Sequence, residues 1–154
     1  MIATDATPTR WGWVELRDGR VTRFGASPEY VVARDQVLME MMAVDGMIGQ
    51  LEDFDPEEEM LLLAIDANSV THAIGKGYSG SEGMREELQK LRGRGVVILA
   101  RRVAGVDNLG DLPSRGSDPI RALRGEYGKK EQSDARRRLE ATWLVLEALR
   151  REAL

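Results

Sequence analysis

The sequence predicts an α/β protein with a mixed β-sheet and helices on its faces. Three short strand-like segments follow one another at the amino-terminal end and are separated by turns, as in an antiparallel meander. Two later apolar segments, at 60–65 and 96–99, each follow a helical segment, which is typical of strands with helical connections. A meander followed by helix-linked strands predicts one sheet with both antiparallel and parallel pairs.

The meander is predicted at 2–5, 11–16 and 21–25. The turn Arg17-Asp-Gly-Arg20 lies between the second and third strands, and an Asp-Gly pair favours a tight hairpin. The first strand is short and begins almost at Met1. We therefore expect the chain to be a domain cut from a longer polypeptide.

The first helix is predicted from about 30 to 51, because apolar residues recur there at helical spacing. These residues are Val37, Met41, Val44, Ile48 and Leu51. The continuous apolar run at 60–65 favours a central strand buried on both faces. Shorter helices are predicted at 68–74, interrupted by Gly75 and Gly77, and at 82–93.

Residues 116–154 are predicted to form a loop and an amphipathic helix that pack on a core formed by residues 1–115. The segment 104–132 is rich in Gly, Pro and charge and is expected to be irregular. The helix is predicted from about 134 to 153. Its apolar stripe consists of Leu139, Trp143, Leu146 and Leu149. The clusters 136–138 and 150–151 are basic but mixed with glutamates, which favours a solvated helix face.

Composition restricts the classes of function. A chain of 154 residues fits one domain with a real core. It has no cysteine, which excludes disulfides and thiolate metal sites, and its single histidine, His72, excludes a histidine-rich zinc site. No apolar run approaches the roughly 20 residues of a membrane span, and no signal peptide is recognisable. The net charge of −4 argues against a nonspecific nucleic-acid coat.

Four acidic residues lie in separate motifs and are candidate metal ligands. Asp5 and Asp66 each end a strand-like run, Glu40 lies within the apolar stripe of a helix, and Asp111 follows a loop. Carboxylates that converge from distant segments form a site for hard divalent cations and for phosphodiester chemistry. Alternatively, Asp5 starts a turn and Asp66 caps the next helix. Asp45 also falls within the wide apolar arc, as a partly exposed position or as the partner of an arginine.

Four segments together resemble a type I ribonuclease H domain of the kind joined to a retroelement reverse transcriptase. They are TDATPTRWG at 4–12, EMMA at 40–43, IDANSVTHAIGKG at 65–77 and VAGVDNLGDLPSR at 103–115. No single motif is specific, but the four occur in the family's order with fitting spacing. The resemblance covers residues 1–115.

The resemblance implies a ribonuclease-H-like sheet with strand order 3-2-1-4-5. It implies that Asp5, Glu40, Asp66 and Asp111 are the catalytic acids and hold two Mg²⁺ or Mn²⁺ ions, and that the RNA strand of an RNA–DNA hybrid is cleaved. It also implies a larger reverse transcriptase polypeptide, inside the cell in the cytoplasm or in a retroelement particle. Candidate substrate contacts are Thr7, Asn68 and Lys76.

Two alternatives remain open: a DNA nuclease of the same fold, and an inactive connection or scaffold domain. The resemblance also implies a loop histidine that aids product release, and no histidine follows His72. Arginine and lysine stay protonated near neutral pH and cannot shuttle a proton in its place. We therefore expect a slow enzyme that is active mainly with Mn²⁺ or high Mg²⁺ and is limited by product release.

Overall fold

A five-stranded mixed sheet with the order β3-β2-β1-β4-β5 lies at the centre of the structure. The computed structural model describes residues 1–28, 36–57, 59–76 and 82–153. The strands are β1 Ile2–Ala6, β2 Trp11–Arg17, β3 Arg20–Ala26, β4 Met60–Ile65 and β5 Val97–Arg102. Strands β1 to β3 pair antiparallel, and β4 pairs parallel with both β1 and β5. The predicted fold class and strand order are confirmed.

The hairpin between β2 and β3 has the predicted Asp-Gly turn. Asp18 and Gly19 have φ angles of 50° and 74°, which places both residues in the left-handed region. Two such residues form the turn whose twist matches that of the flanking strands. The short-range sequence signal therefore fixes the turn of this hairpin.

Within the described residues, six α-helices connect or follow the strands. They are α1 Gln36–Gln50, α2 Asn68–Lys76, α3 Glu82–Gly93, α4 Asp111–Ser114, α5 Pro119–Leu123 and α6 Lys129–Ala153. The predicted first helix is confirmed from Gln36 onward, and its predicted beginning lies outside the described residues. Helix α2 continues through Gly75 to Lys76, and Gly77 also lies outside the described residues.

The prediction of an irregular segment at 104–132 is wrong. This segment contains a 3₁₀ turn at Gly105–Asp107, the helices α4 and α5, and the first turn of α6. Helix α5 has strong local signals, because Asp118 accepts hydrogen bonds from the backbone amides of Ile120 and Arg121 and Pro119 opens the helix. The elements are too short to show a complete apolar period, which is why the sequence pattern missed them.

The sheet carries one apolar core on each face. Helices α1, α2 and α3 cover the first face. Helix α6 covers the second face, where Leu146 and Leu149 are buried with Val14 and Leu62 while Leu139 and Trp143 pack at the margin. The predicted apolar stripe of α6 therefore faces the sheet. The division into a core at 1–115 and a segment at 116–154 that belongs to the same domain stays a prediction.

Among the helices of the described segments, none combines the length and the apolar character needed to cross a membrane.

Candidate active site

The carboxyl ends of β1 and β4 form the base of the candidate site. These strands are parallel neighbours, and Thr4 of β1 is in register with Ile65 of β4. Asp5 and Asp66 are the next residues along each strand, so the two aspartates leave adjacent strands at the same edge of the sheet. Asp5 is buried with 6% relative exposure, whereas Asp66 is partly exposed.

Glu40 reaches this edge from the buried face of α1. Its Oε1 accepts a hydrogen bond from the backbone amide of Ala6 at 3.2 Å and another from Gln36 Nε2 at 3.3 Å. Gln36 Nε2 also donates to the carbonyl of Ala6 at 2.6 Å, so Gln36 ties the helix to the end of β1. Glu40 Oε2 is buried without a hydrogen-bond partner among the described residues. A buried carboxylate oxygen in this state is energetically costly unless a proton or a cation binds it.

Asp111 is brought to the site by a loop that lies directly on β1. Asn108 Nδ2 donates to the carbonyl of Thr4 at 2.8 Å, and Asn108 Oδ1 accepts from the amide of Gly110 at 2.8 Å. A Cβ atom at Gly110 would lie 3.1 Å from the carbonyl oxygen of Ala3 and 3.2 Å from the amide nitrogen of Asp5. The close approach of this loop to the strand therefore depends on glycine.

Helix α4, which begins at Asp111, packs equally closely on β2. A Cβ atom at Gly12 would lie 2.4 Å from the amide nitrogen of Ser114 and 2.8 Å from the carbonyl carbon of Pro113. Backbone atoms cannot move aside as a flexible side chain can. Gly12 therefore allows α4 to hold Asp111 beside Asp5.

The four predicted acids line one open cavity of about 460 Å³. Asp5 comes from β1, Glu40 from α1, Asp66 from the end of β4 and Asp111 from α4. The remaining lining residues are Ala6, Thr7, Pro8, Gln36, Gly105, Val106, Arg115 and Arg138. The structure thus brings together side chains that are up to about a hundred positions apart in the sequence, although their catalytic roles stay a prediction.

Asp5 and Glu40 are the electrostatically strained pair of the site. Burial, with a smaller contribution from the charge of Asp111, raises the pKa of Asp5 to about 7, although the interaction with Glu40 acts in the opposite direction. Burial and the charge of Asp5 raise the pKa of Glu40 to about 9. Two close buried carboxylates resist double ionisation, so the pair retains a proton near neutral pH when no cation is bound.

Arginines neutralise the other two carboxylates. Arg115 Nε lies 2.8 Å from Asp111 Oδ1, and Arg138 Nη2 lies 3.4 Å from Asp111 Oδ2. Arg102 Nη2 lies 3.7 Å from Asp66 Oδ1, which is a weaker and more exposed pair. In this arrangement, no three His, Asp or Glu side chains of the described residues are grouped so that they could hold a metal ion.

The other predicted residues divide by location. Thr7 lines the cavity, whereas Asn68 and Lys76 are exposed on α2 and do not line it. His72 is exposed on the same helix. Asp45 forms an ion pair with Arg94 at 2.7 Å, which agrees with the structural role proposed as an alternative.

Three contributors to the site were missed by the sequence analysis: Gln36, Asn108 and Arg138. Gln36 lies one helical turn before Glu40, a spacing that could have drawn attention to it. Arg138 was assigned to a solvated helix face, which is wrong, because its side chain is only 14% exposed. Two of its four partners are backbone carbonyls about 30 positions away, and no sequence pattern reports such partners.

Comparison with solved structures identifies the fold. The chain is similar to ribonuclease H1 from the halophilic archaeon Halobacterium salinarum NRC-1, with a TM-score of 0.56 and 16% identity, over 68% of this chain and 84% of the other. It is also similar to LC11-RNase H1, solved in complex with an RNA/DNA hybrid, with a TM-score of 0.59 and 14% identity, over 70% of this chain and 86% of the other.

The fold is ribonuclease-H-like. At these identities the likeness concerns the fold, and the share of this chain outside the alignments is about a third. No protein-family model matches the sequence, and neither does any curated protein. Within the ribonuclease-H-like fold, the arguments for an activity must come from the cavity and its carboxylates.

Proposed function

We propose that this chain is a metal-dependent endonuclease that cleaves the RNA strand of RNA–DNA hybrids. The observation that carries the proposal is the convergence of Asp5, Glu40, Asp66 and Asp111 on one cavity of a ribonuclease-H-like fold. The similarity to ribonuclease H1 structures, one of them solved with a hybrid, supports the choice of substrate.

The donor set fits hard divalent cations. All four side chains offer carboxylate oxygens, the ligands that Mg²⁺ and Mn²⁺ prefer. The unpartnered Glu40 Oε2 and the raised pKa values of Asp5 and Glu40 indicate that this buried pair, unlike Asp66 and Asp111, has no positive charge beside it. We propose that Asp5 and Glu40 hold two such ions together with Asp66 and Asp111, once the last two are released from their arginines.

The chain's own residues have distinct parts in this proposal. The bound cations would supply the positive charge that activates a water and stabilises the leaving oxygen. Gln36 orients Glu40, and the Asn108 loop orients Asp111. Thr7 lies in the cavity wall, and we retain it as a candidate contact. Its hydroxyl donates to the carbonyl of Arg10 at 3.1 Å, so a substrate phosphate would have to replace that bond.

Asn68 and Lys76 are weaker candidates for substrate contacts. Both are exposed on α2, the helix that follows Asp66. A hybrid that extends beyond the cavity could reach this helix, and a cationic side chain favours a phosphate backbone. We propose them as outer contacts and expect their substitution to change the KM for the hybrid more than kcat.

The biological context is proposed from the motifs. The segments at 4–12, 40–43, 65–77 and 103–115 resemble the ribonuclease H domains of retroelement reverse transcriptases. We propose that the chain belongs to such a polypeptide and removes template RNA during reverse transcription. Location in the cytoplasm or in a retroelement particle follows from that proposal.

An inactive scaffold domain is the second candidate. Two observations favour it: Asp111 is paired with Arg115 and Arg138, and no three acidic or histidine side chains of the described residues are grouped so that they could hold a metal ion. The two candidates differ in one respect. In an active enzyme, metal ions must replace these arginines beside Asp111, whereas a scaffold keeps the ion pairs.

A substrate panel tests the proposed function. The intact chain is incubated with an end-labelled RNA–DNA hybrid, duplex DNA and duplex RNA, in EDTA, Mg²⁺ or Mn²⁺. We expect cleavage of the RNA strand of the hybrid with a metal and no cleavage in EDTA. Cleavage of duplex DNA alone would indicate the DNA-nuclease alternative, and no cleavage of any duplex with either metal would favour the scaffold.

A further inference from the structure

Helix α6 makes a dense set of contacts with the segment that carries Asp111. Arg138 Nη1 donates to the carbonyls of Gly105 and Asn108 at 3.1 and 3.0 Å. One turn later, the Thr142 hydroxyl donates to the carbonyl of Asp107 and accepts from the amide of Leu109, both at 3.0 Å. These bonds engage the backbone of four of the five residues from 105 to 109, all except Val106.

Arg137 adds contacts on the outer side of the same turn. Its guanidinium binds Asp107 Oδ1 at 2.6 Å and the carbonyl of Val106 at 2.7 Å. These bonds are half-exposed, so each contributes less than the inner bonds of Arg138. The turn is therefore attached to α6 along its whole length, from Gly105 to Leu109.

The Arg138 guanidinium also lies between two carboxylates. Its Nε binds Asp134 Oδ2 at 2.8 Å, and its Nη2 lies 3.4 Å from Asp111 Oδ2. The planar fork of donors allows one side chain to satisfy two carbonyls and two carboxylates at the same time. A lysine ammonium is a point donor on a flexible stem and cannot reach all four partners. The side chain is 14% exposed, so water replaces these bonds poorly.

The turn held by Arg138 borders two of the four acids. Asp111 follows it, and a Cβ atom at Gly105 would lie 2.9 Å from Asp66 Oδ2. On its other side the loop is fixed to β1 through Asn108. Asp111 is therefore located by two attachments: β1 sets its distance from Asp5, and α6 sets the turn that leads to it.

We propose that Arg138 is a positioning residue of the active site: it fastens the turn at 105–109 to α6 and thereby sets the place of Asp111 beside Asp5. The C-terminal helix is then part of the catalytic apparatus as well as a cover for the sheet. The consequence for metal binding and cleavage rests on the proposed function, whereas the fastening of the turn does not.

The test compares the intact wild-type chain with the variants Arg138→Gln and Arg138→Lys. The matched control is Arg136→Gln, which removes an exposed arginine of the same helix that has no described partner. The first readout is residue-resolved amide hydrogen exchange without metal. We expect the amides of Leu109, Gly110 and Asp111 to exchange about tenfold faster or more in Arg138→Gln, because their local opening becomes easier, with strand β4 unchanged.

The second readout is Mn²⁺ affinity by titration calorimetry, together with kcat and KM on the hybrid. Arg138→Gln also removes a cation that competes with the metal for Asp111, but that pair is long, at 3.4 Å, so the loosened turn should have the larger effect. We expect Arg138→Gln to lower Mn²⁺ affinity and kcat by about 10- to 100-fold, as is usual for groups that orient metal ligands, with KM changed by less than roughly threefold. Arg138→Lys should lie between Arg138→Gln and the wild type, and Arg136→Gln should match the wild type.

The possible outcomes distinguish the positioning role of Arg138 from the proposed nuclease function. Unchanged exchange at 109–111 in a folded Arg138→Gln protein overturns the positioning role, whatever the activity. If Arg138→Gln does not fold, the same criterion applies to Arg138→Lys and to Thr142→Val, which removes only the two hydroxyl bonds. A wild-type chain that neither binds Mn²⁺ nor cleaves the hybrid refutes the proposed function, while the exchange data still decide whether Arg138 holds the turn.

Discussion

The pair formed by Asp5 and Glu40 determines the chemistry of the site at the scale of single residues. Both carboxyl groups are buried, and both have raised pKa values. Asp66 and Asp111 instead have arginine partners. The unfavourable electrostatic energy of placing four acids together therefore falls mainly on Asp5 and Glu40. The ionisation or substitution of these two residues, or the binding of a cation to them, should have the largest effect on stability.

The first prediction concerns stability and pH without metal. The ordinary pKa values of 3.8 and 4.5 rise to about 7 and about 9 in the folded protein, so between these limits the folded state binds more protons than the unfolded state. Stability from this pair is fully present below about pH 4 and is lost as the pH rises through 7 and 9. We expect the Tm in EDTA to fall from pH 5 to pH 9.

The control for this prediction is the double variant Asp5→Asn, Glu40→Gln, measured by thermal denaturation over the same range. It should lose most of the slope, because neither side chain can then ionise. An equally steep decrease in the double variant would show that other groups cause the pH dependence. Saturating Mn²⁺ should flatten the wild-type curve at alkaline pH, since cations bind the ionised carboxylates.

The second prediction separates the aspartates by their surroundings. Asp5→Asn should raise the Tm at pH 8 without metal, because it removes a buried charge that faces Glu40 and Asp111. Asp66→Asn should leave the Tm nearly unchanged, because Asp66 is partly exposed and its pair with Arg102 is long. Both variants should lose hybrid cleavage. A Tm decrease of several degrees in Asp5→Asn would contradict the described electrostatics.

At the scale of secondary-structure elements, α6 connects stability with the site. Its inner face buries Leu146 and Leu149 against the sheet, and its amino-terminal half holds the turn before Asp111 through Arg138 and Thr142. A helix in this position cannot be removed without exposing the second core. The predicted packing of residues 116–154 on the core of residues 1–115 can therefore be examined with a point variant and a truncation.

The third prediction is that Leu146→Ala destabilises the chain by about 2–5 kcal/mol, the usual range for a fully buried leucine. The matched control is Leu144→Ala on the same helix, where the side chain is 69% exposed and the effect should be within about 0.5 kcal/mol. Urea denaturation followed by circular dichroism measures both. Equal stabilities for the two variants would show that α6 is an appendage.

Truncation after residue 128 extends the same argument. Each large apolar side chain of the stripe contributes about 1.5–3 kcal/mol on burial, so we expect an insoluble or unfolded product. If the truncated chain melts at the temperature of the full chain, residues 1–115 do form an independent unit and α6 is free to contact another part of a larger polypeptide.

At the scale of the whole molecule, periodicity and strand ends predicted a mixed sheet and four candidate acids. The strand order and the grouping of those acids in one site were implied by the resemblance to ribonuclease H domains. The sequence patterns did not predict elements and contacts that depend on one or two individual hydrogen bonds. Helix α5 depends on the Asp118 cap, and the role of Arg138 depends on carbonyls distant in sequence. Fold similarity then supports the strand order, while the roles of the acids still require solution measurements.

The fourth prediction concerns turnover. The cations paired with the acids of the described cavity are the arginines 102, 115 and 138, and a guanidinium group does not act as a proton donor to a departing product. We expect a burst of hybrid cleavage in the first turnover, followed by slow steady-state release. Rapid-quench kinetics with enzyme below substrate measures this. A linear time course whose rate equals the single-turnover rate would show that chemistry is limiting.

The most direct test of the central claim is single-turnover cleavage of an RNA–DNA hybrid in Mn²⁺ by three matched proteins. They are the wild type, Asp5→Asn, and Asp45→Asn, which removes an acid paired with Arg94 outside the cavity. The account predicts cleavage of the RNA strand by the wild type and by Asp45→Asn, with a decrease of at least roughly 10³-fold in Asp5→Asn. Equal rates for Asp5→Asn and the wild type would contradict it.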